Sequence, residues 1–164
     1  MALSNYSPED VVFLLGGAIA LEGFSDGTFI SIRKASPTFE TVPSTDGLIS
    51  RTQIDNPLYT VTLTLSSVAA SNEILTAVAF ADKMTGRGKF PIMIKDNLGT
   101  SLFFASLAWI EGKPDMSFST EVTTRDWTFS CIGVTEVIGG NESTNPIPTP
   151  LAALGIAFLD SLVG

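Results

Sequence analysis

The chain has 164 residues, nine Lys or Arg against seventeen Asp or Glu, no histidine and one cysteine, for a formal charge of −8. This composition argues against a tightly held nucleic acid, which needs a basic patch, and against an intramolecular disulfide framework. It also removes the Ser-His-Asp, Cys-His and most zinc chemistries, which need an imidazole. Charged residues make up only 16% of the chain against a usual ~25%, and mean hydropathy is +0.34. Either much of the outer surface is hidden against copies or partners, or the surface is simply rich in Ser and Thr.

Pro8, Glu9 and Asp10 precede the apolar run Val11–Leu15 without the basic region of a signal peptide. Neither that run nor Leu151–Val163 reaches the ~20 residues of a membrane-spanning helix, so a cytosolic site of synthesis and no membrane partner are expected. Val11 to Leu21 reads as a strand bent or closely packed at Gly16 and Gly17, turning at Ser25-Asp26-Gly27 into a strand over Thr28–Arg33. Ser36 to Pro57 is too long for an ordinary connection of ~4–6 residues. Its Asp46-Gly47 turn, between thinly spaced apolar residues, predicts a projecting hairpin arm. Phe39, Val42, Asp46, Leu48, Ile49 and Arg51 are the arm's candidate contacts, since so sparse a hairpin is stable chiefly when laid on a neighbour.

Leu58–Ser66 alternates cleanly, with Val61, Leu63 and Leu65 on one face and Thr60, Thr62 and Thr64 on the other. Ser71 or Asn72 is expected to cap a helix of about three turns. Ile74, Leu75, Val78, Ala81 and Met84 form its apolar face, and Gly86 or Gly88 is its stop. Lys89 to Ile110 predicts a hairpin around Asp96-Asn97-Leu98-Gly99. Phe90, Ile92 and Ile94 share one face of its first arm, with Met93 and Lys95 on the other. In the second arm Leu102, Phe104, Ala108 and Ile110 are assigned to one face, and Phe103, Leu107 and Trp109 to the opposite one. A strand apolar on both faces is covered on both, inside a domain or between subunits. Ser117–Ile138 reads as a long β-rich run whose apolar face switches near Arg125-Asp126. Residues 1–140 are thus read as one β-domain, 141–150 as a proline-rich linker and 151–164 as an apolar helical extension. Leu154, Phe158 and Leu162 of the extension are candidate docking residues.

No catalytic constellation emerges. Asp115, Glu121 and Asp126 are acids of turns and strand exteriors, and spacing alone does not make them a catalytic pair. Thr85–Lys89 lacks the order and spacing of a phosphate loop. Lys83, Arg87, Lys89 and Lys95 read as a basic cluster able to pair with a neighbour's acids. Cys131 reads as a buried strand residue, Asn141-Glu142-Ser143 as a sequon without a secretory context, and no cofactor or metal is expected. A charge-poor β-domain with an arm and a leashed tail has the parts of an assembly subunit.

Several segments, in order, go further. They are the Thr45-Asp46-Gly47 arm with Arg51, Val61-Thr62-Leu63-Thr64-Leu65, and Ser71-Asn72-Glu73-Ile74-Leu75 closing at Thr85-Gly86. Then come Phe90–Asp96, Ala108-Trp109-Ile110-Glu111 and Arg125-Asp126-Trp127-Thr128. Together, over about Val11 to Gly140, they resemble the tail tube proteins of contractile-tailed bacteriophages. The resemblance implies a mainly β, sandwich or barrel fold with one flanking α-helix, shared with the ring protein of type VI secretion systems. It implies hexameric rings stacked into a tube through which DNA passes without specific binding, the Ser36–Pro57 loop bridging rings. Thr60, Thr62, Thr64, Phe103 and Trp109 are the candidate inter-subunit residues. The implied partners are other copies, the tail sheath protein, baseplate and tail terminator proteins, and a tape measure protein in the lumen during assembly. The implied location is the virion tail, after synthesis in the host cytoplasm. Two alternatives stay open: the tube of a phage-derived bacteriocin, and a small β-sandwich binding module of a baseplate or adhesin. A histidine-free enzyme using carboxylates is a third reading, tested by a pH-dependent activity lost on changing Glu121 or Asp126.

Overall fold

Two glycines in left-handed backbone set the first feature of the computed structural model, which describes residues 3–141. Gly16 and Gly17, at φ 64° and 76°, form the tight turn between Val11–Leu15 (β1) and Ile19–Ala20 (β2), a place where side chains are strained and glycine is not. The expected single strand bent at these glycines is therefore a hairpin. Nor does it pair with the next strand. Ile30–Lys34 (β3) instead lies antiparallel to Tyr59–Ser66 (β6).

Phe39–Pro43 (β4) and Ile49–Gln53 (β5) form a separate two-stranded sheet, the predicted arm. Phe90–Asp96 (β7) and Leu102–Gly112 (β8) form the predicted hairpin. Asp96 closes its turn by accepting the Leu98 N–H on its own carboxylate, at 3.0 Å. Thr124–Val137 (β9) then lies between β8 and β6, completing a seven-stranded antiparallel sheet in the order β2-β1-β7-β8-β9-β6-β3. Residues 113–123, expected as strand in part, are irregular, and Phe118 and Val122 there are exposed.

The sheet curls around its own apolar side. Phe13 on β1 and Phe129 on β9 have ring centroids 5.6 Å apart. Flat strands three steps apart would be about 14 Å from one another at ~4.8 Å per step. Val61, Leu63, Leu65, Ile92, Ala105 and Ala108 fill the inside without exposure. The fold is mainly β, as expected.

Ser71–Thr85 (α1) adds Leu75, fully buried, with Ile74 and Val78 packed against the same core. It ends as expected at Gly86, φ 68°, whose N–H bonds to the Asp82 carbonyl at 2.7 Å. Its 15 residues make about four turns rather than three. The expected caps are used otherwise. Ala70 sits at the cap position, while Ser71 Oγ accepts the Glu22 N–H at 2.8 Å and Asn72 Oδ1 accepts the Trp127 indole N–H at 2.9 Å. These bonds tie the helix to the sheet, and they outweigh a local cap because both polar residues are buried. Ala81 and Met84, expected on the buried face, are exposed because only the first half of the helix lies on the core.

One irregularity decides which residues face inward. Phe90 pairs with Ala108 and Ile92 with Ala105, so β8 carries one extra residue opposite Pro91. Across from Ser106, Gly133 of β9 takes φ 64°, and a Cβ there would collide with Ser106 Oγ. Both central strands change parity at this point. The inward set of β8 is Phe103, Ala105, Ala108 and Ile110, and its outward set is Leu102, Phe104, Leu107 and Trp109. The face assignment made from alternation alone is corrected accordingly. The switch expected near Arg125-Asp126 lies instead at Gly133, between Cys131 and Val134.

Candidate assembly interface

Directly paired residues of antiparallel strands share a face, so the register defines the outward surface. Leu14 pairs with Met93, Met93 with Phe104, Lys95 with Leu102, and Leu107 with Ile132. These residues form an apolar outward field across β1, β7, β8 and the far half of β9. Apart from the Lys95 ammonium and the hydroxyl of Thr135, which pairs with Phe104, it is carbon with a thioether and the Trp109 ring. None of its large side chains is fully buried, and Phe104 is 39% exposed. The Trp109 indole N–H donates to Glu111 Oε2 at 2.7 Å, leaving the ring for contact.

The other outward half is mostly hydroxylic, with two charged residues, Arg33 paired with Thr60 and Asp126 paired with Thr64. Ser31 pairs with Thr62, Thr62 with Thr128, and Thr60 with Ser130. Thr64 Oγ1 donates to Asp126 Oδ1 at 2.7 Å. Thr60, Thr62 and Thr64 therefore lie together on one face as the alternation predicts, beside the apolar field that contains Trp109. Phe103 does not join them. It is turned into the core, 3% exposed, with its ring 6.0 Å from that of Tyr59, so its place among inter-subunit contacts is withdrawn. Its neighbour Phe104 has the position that Phe103 was given.

All ten strand residues of the arm are exposed. Arg51 stacks its guanidinium 3.8 Å over the Phe39 ring, a cation–π contact that stiffens one arm face. Phe39 pairs with Gln53 and Pro43 with Ile49, whereas Val42 pairs with Ser50 on the opposite face. Leu48 and Asp46 sit at the tip, where Gly47 takes φ 87° and a Ser44 hydrogen bond holds the Asp46 carboxyl below its ordinary range. Val42, Leu48 and Ile49 are 50%, 67% and 73% exposed, so no described residue buries these three apolar side chains of the arm. At its root Lys34 Nζ donates to Thr38 Oγ1 at 2.7 Å, and Asn56 Nδ2 to Ser36 Oγ at 2.9 Å.

The candidate acids do not converge on a reacting group. Asp115 and Glu121 lie in the irregular 113–123 stretch, and Asp126 is bonded to Thr64. Lys83 is in the last turn of α1, with Arg87 and Lys89 in the short link that follows, but Lys95 is six residues on from Lys89 along an extended strand, about 20 Å away at ~3.3 Å per residue, so it does not join them. Burial pushes the Cys131 thiol up to about 11. Among the described residues no group of His, Cys, Asp and Glu could hold a metal ion, and no helix is long and apolar enough to cross a membrane. Leu154, Phe158 and Leu162 lie outside the described residues. Sequence reasoning gave no role to Phe80, 65% exposed on the helix, or to Ile138, 91% exposed after β9; their only signal is an apolar side chain where solvent is expected.

The chain is 32% identical over 161 residues to structural protein ORF10 of Pseudomonas phage KPP10, covering 93% of both chains. No family model matches it. Among solved structures it is similar to a chain of the anti-feeding prophage cap, the AFP tube terminating cap. There the TM-score is 0.56 at 16% identity, over 82% of this chain and 92% of that one. It is also similar to chains of the extracellular contractile injection system PVC in the extended state. In the sheath/tube terminator structure the TM-score is 0.54 at 14% identity, over 82% of this chain and 97% of that one. In the sheath–tube complex it is 0.54 at 14% identity, over 81% and 91%. At these identities the likeness is one of fold.

Proposed function

The chain belongs to the family of the KPP10 phage structural protein, and from that membership we propose that it is a ring-forming subunit of the central tube of a contractile tail. It is a structural protein of a phage or phage-like particle and not an enzyme. The observation that carries the tube reading is the half-exposed carbon field on the outward side of β7 and β8, in a chain where only 16% of residues are charged. Covering such a field contributes roughly 25 cal/mol per Å², and an adjacent copy is the partner available at highest concentration in an assembling tail.

In this reading six copies close a ring by a heterologous contact. The free edges of the sheet, β3 on one side and the β1–β2 hairpin on the other, pair between neighbours and so leave no exposed edge. Thr60, Thr62 and Thr64, expected from the sequence at inter-subunit contacts, are assigned instead to the lumen side. There a mostly hydroxyl face, with Arg33 and Asp126 balancing in charge, lets a polyanion slide without retention. The arm reaches the next ring. Tail sheath, baseplate and terminator proteins contact the outside and ends of the tube, and a tape measure protein occupies the lumen during assembly. The particle is a phage tail or the tube of a phage-derived bacteriocin.

A second reading is favoured by the fold-level likeness to chains of a tube terminating cap and of a sheath/tube terminator: a subunit that forms one ring and ends the tube. Negative-stain microscopy of the concentrated protein separates the two, stacked tubes supporting the tube subunit and single rings the terminator. Small particles that never close, over a range of salt, would overturn both and favour a binding module. If tubes form, deleting the arm tip Pro43–Ile49 is expected to leave a folded subunit that makes rings and does not stack. Long tubes from that variant would remove the arm from the axial contact.

A further inference from the structure

The mouth of the curled sheet holds a cavity of about 550 Å³ between the edge strand β3 and the ends of β1, β7, β8 and β9. Val11, Phe29, Ile30, Ile32, Ile94 and Phe103 give it apolar walls, and Tyr6 and Ile138 stand at it 62% and 91% exposed. Its acids already have partners. Asp96 accepts the Leu98 N–H on one oxygen and the Asn141 side-chain N–H on the other, the latter at 2.6 Å. Glu136 accepts the Tyr59 hydroxyl at 3.0 Å. The cavity therefore suits an apolar chain segment better than a polar small molecule.

Asn141, the last described residue, is part of the wall. The chain leaves from a fixed point. Gly139 N–H donates to Ser101 Oγ at 3.1 Å, Gly140 N–H to Thr100 Oγ1 at 3.2 Å, and the Asn141 carbonyl accepts the Asn5 N–H at 3.2 Å. Nine residues follow, with prolines at 146, 148 and 150, and then the apolar run containing Leu154, Phe158 and Leu162. Those three stand four residues apart, a spacing that gathers them on one helical face.

We propose that this mouth receives the Leu151–Val163 segment of an adjacent copy, an inference that rests on the ring reading. The leash argues for the neighbour. At ~3.1 Å per residue its nine residues span about 28 Å when extended, and prolines oppose reversal. A domain of this size has a radius of gyration of about 14 Å. A leash rooted in the wall of its own cavity would have to double back to fill it, whereas an extended one delivers the segment to the next subunit. The exchange, repeated around a ring, links every copy to the next by a contact separate from the sheet edges.

The test uses the full chain carrying Ile32→Cys and Phe158→Cys, oxidised with copper phenanthroline under the conditions used for microscopy. Cys131 is buried and stays out of the reaction. A ladder of disulfide-linked dimers and higher species on a non-reducing gel is expected, absent from either single variant and from a Thr62→Cys, Phe158→Cys control. A disulfide closed within one chain, seen as a 2 Da mass loss on the monomer, would overturn the exchange, and so would the absence of any disulfide. Rings without cross-links would overturn this inference alone. Unassembled particles without cross-links would overturn the ring reading as well.

Discussion

On β1, β7 and β8 the outward rows are Leu14, Met93, Phe104, Leu107 and Trp109 with the one charge of Lys95, whereas on β3, β6 and the near half of β9 they are Ser31, Thr60, Thr62, Thr64 and Thr128 with Arg33 and Asp126. Behind both halves the inward side is the same close-packed carbon, from Phe13 and Ile92 to Val61 and Phe129. Folding needs one apolar face per sheet, and the hydroxyl half shows that this sheet folds with a wettable outer side. The carbon half is therefore not a requirement of the fold. It is the half that asks for cover, and the hydroxyl half is the one that can stand against water or passing solute.

The sharpest way to break this division is a matched pair of substitutions. Phe104→Lys places an ammonium in the carbon half, and burying it unpaired costs several kcal/mol at every contact. Loss of rings by microscopy and sedimentation is expected, with the thermal stability of the subunit changed by only about 1 kcal/mol or less, as at other surface positions. Thr62→Lys places the same charge in the hydroxyl half. Rings are expected to persist, and to retain DNA at low salt that the parent does not, released as salt rises. Rings from Phe104→Lys together with none from Thr62→Lys would reverse the assignment of the halves.

A smaller effect, on stability rather than assembly, is expected at the residue that divides inside from outside. Alanine at Gly133 must adopt φ 64° and collide with Ser106 Oγ, for a destabilisation of about 1–3 kcal/mol read from urea unfolding. Adding Ser106→Gly should remove the collision, recover that part of the loss, and leave the backbone strain. A neutral Gly133→Ala would mean that the parity change does not depend on this glycine.

That same residue marks where sequence reasoning stopped. The alternation in Tyr59–Ser66, the Asp96–Gly99 turn and the Asp46-Gly47 arm are local signals, and each led to the right element. Strand β8 could not be read so simply, because Leu102, Phe103, Phe104, Leu107 and Trp109 place apolar side chains at both parities. Only the extra residue opposite Pro91 and the left-handed Gly133 determine that Phe103 goes in and Phe104 out. Strand partners were also out of reach. That β1 joins β7 and β3 joins β6 is a choice among distant edges, and period two carries no information about it. The helix start shows the same competition in another form, since Ser71 and Asn72 are good caps whose side chains bond instead to Glu22 and Trp127, residues far away in sequence.

The finest test of the division uses two consecutive residues on its opposite sides. Cys131 is fully buried, and burial lifts its thiol from 9.0 to about 11. Its contribution to stability is therefore fully present below pH 9 and is lost as pH rises through about 11. Stability of the parent is expected to decline over that interval, and Cys131→Ala to flatten the decline. Some decline remains because burial and the Glu136 hydrogen bond also raise the Tyr59 phenol. At pH 8 Cys131 should resist iodoacetamide until the chain unfolds, since the thiolate is the reactive form. A thiol one residue later, in Ile132→Cys, points into the outward carbon field. It is expected to react in the free subunit and to be protected in rings. Equal protection before and after assembly would mean that the field is covered within the subunit, and the case for a neighbour on that face would fail.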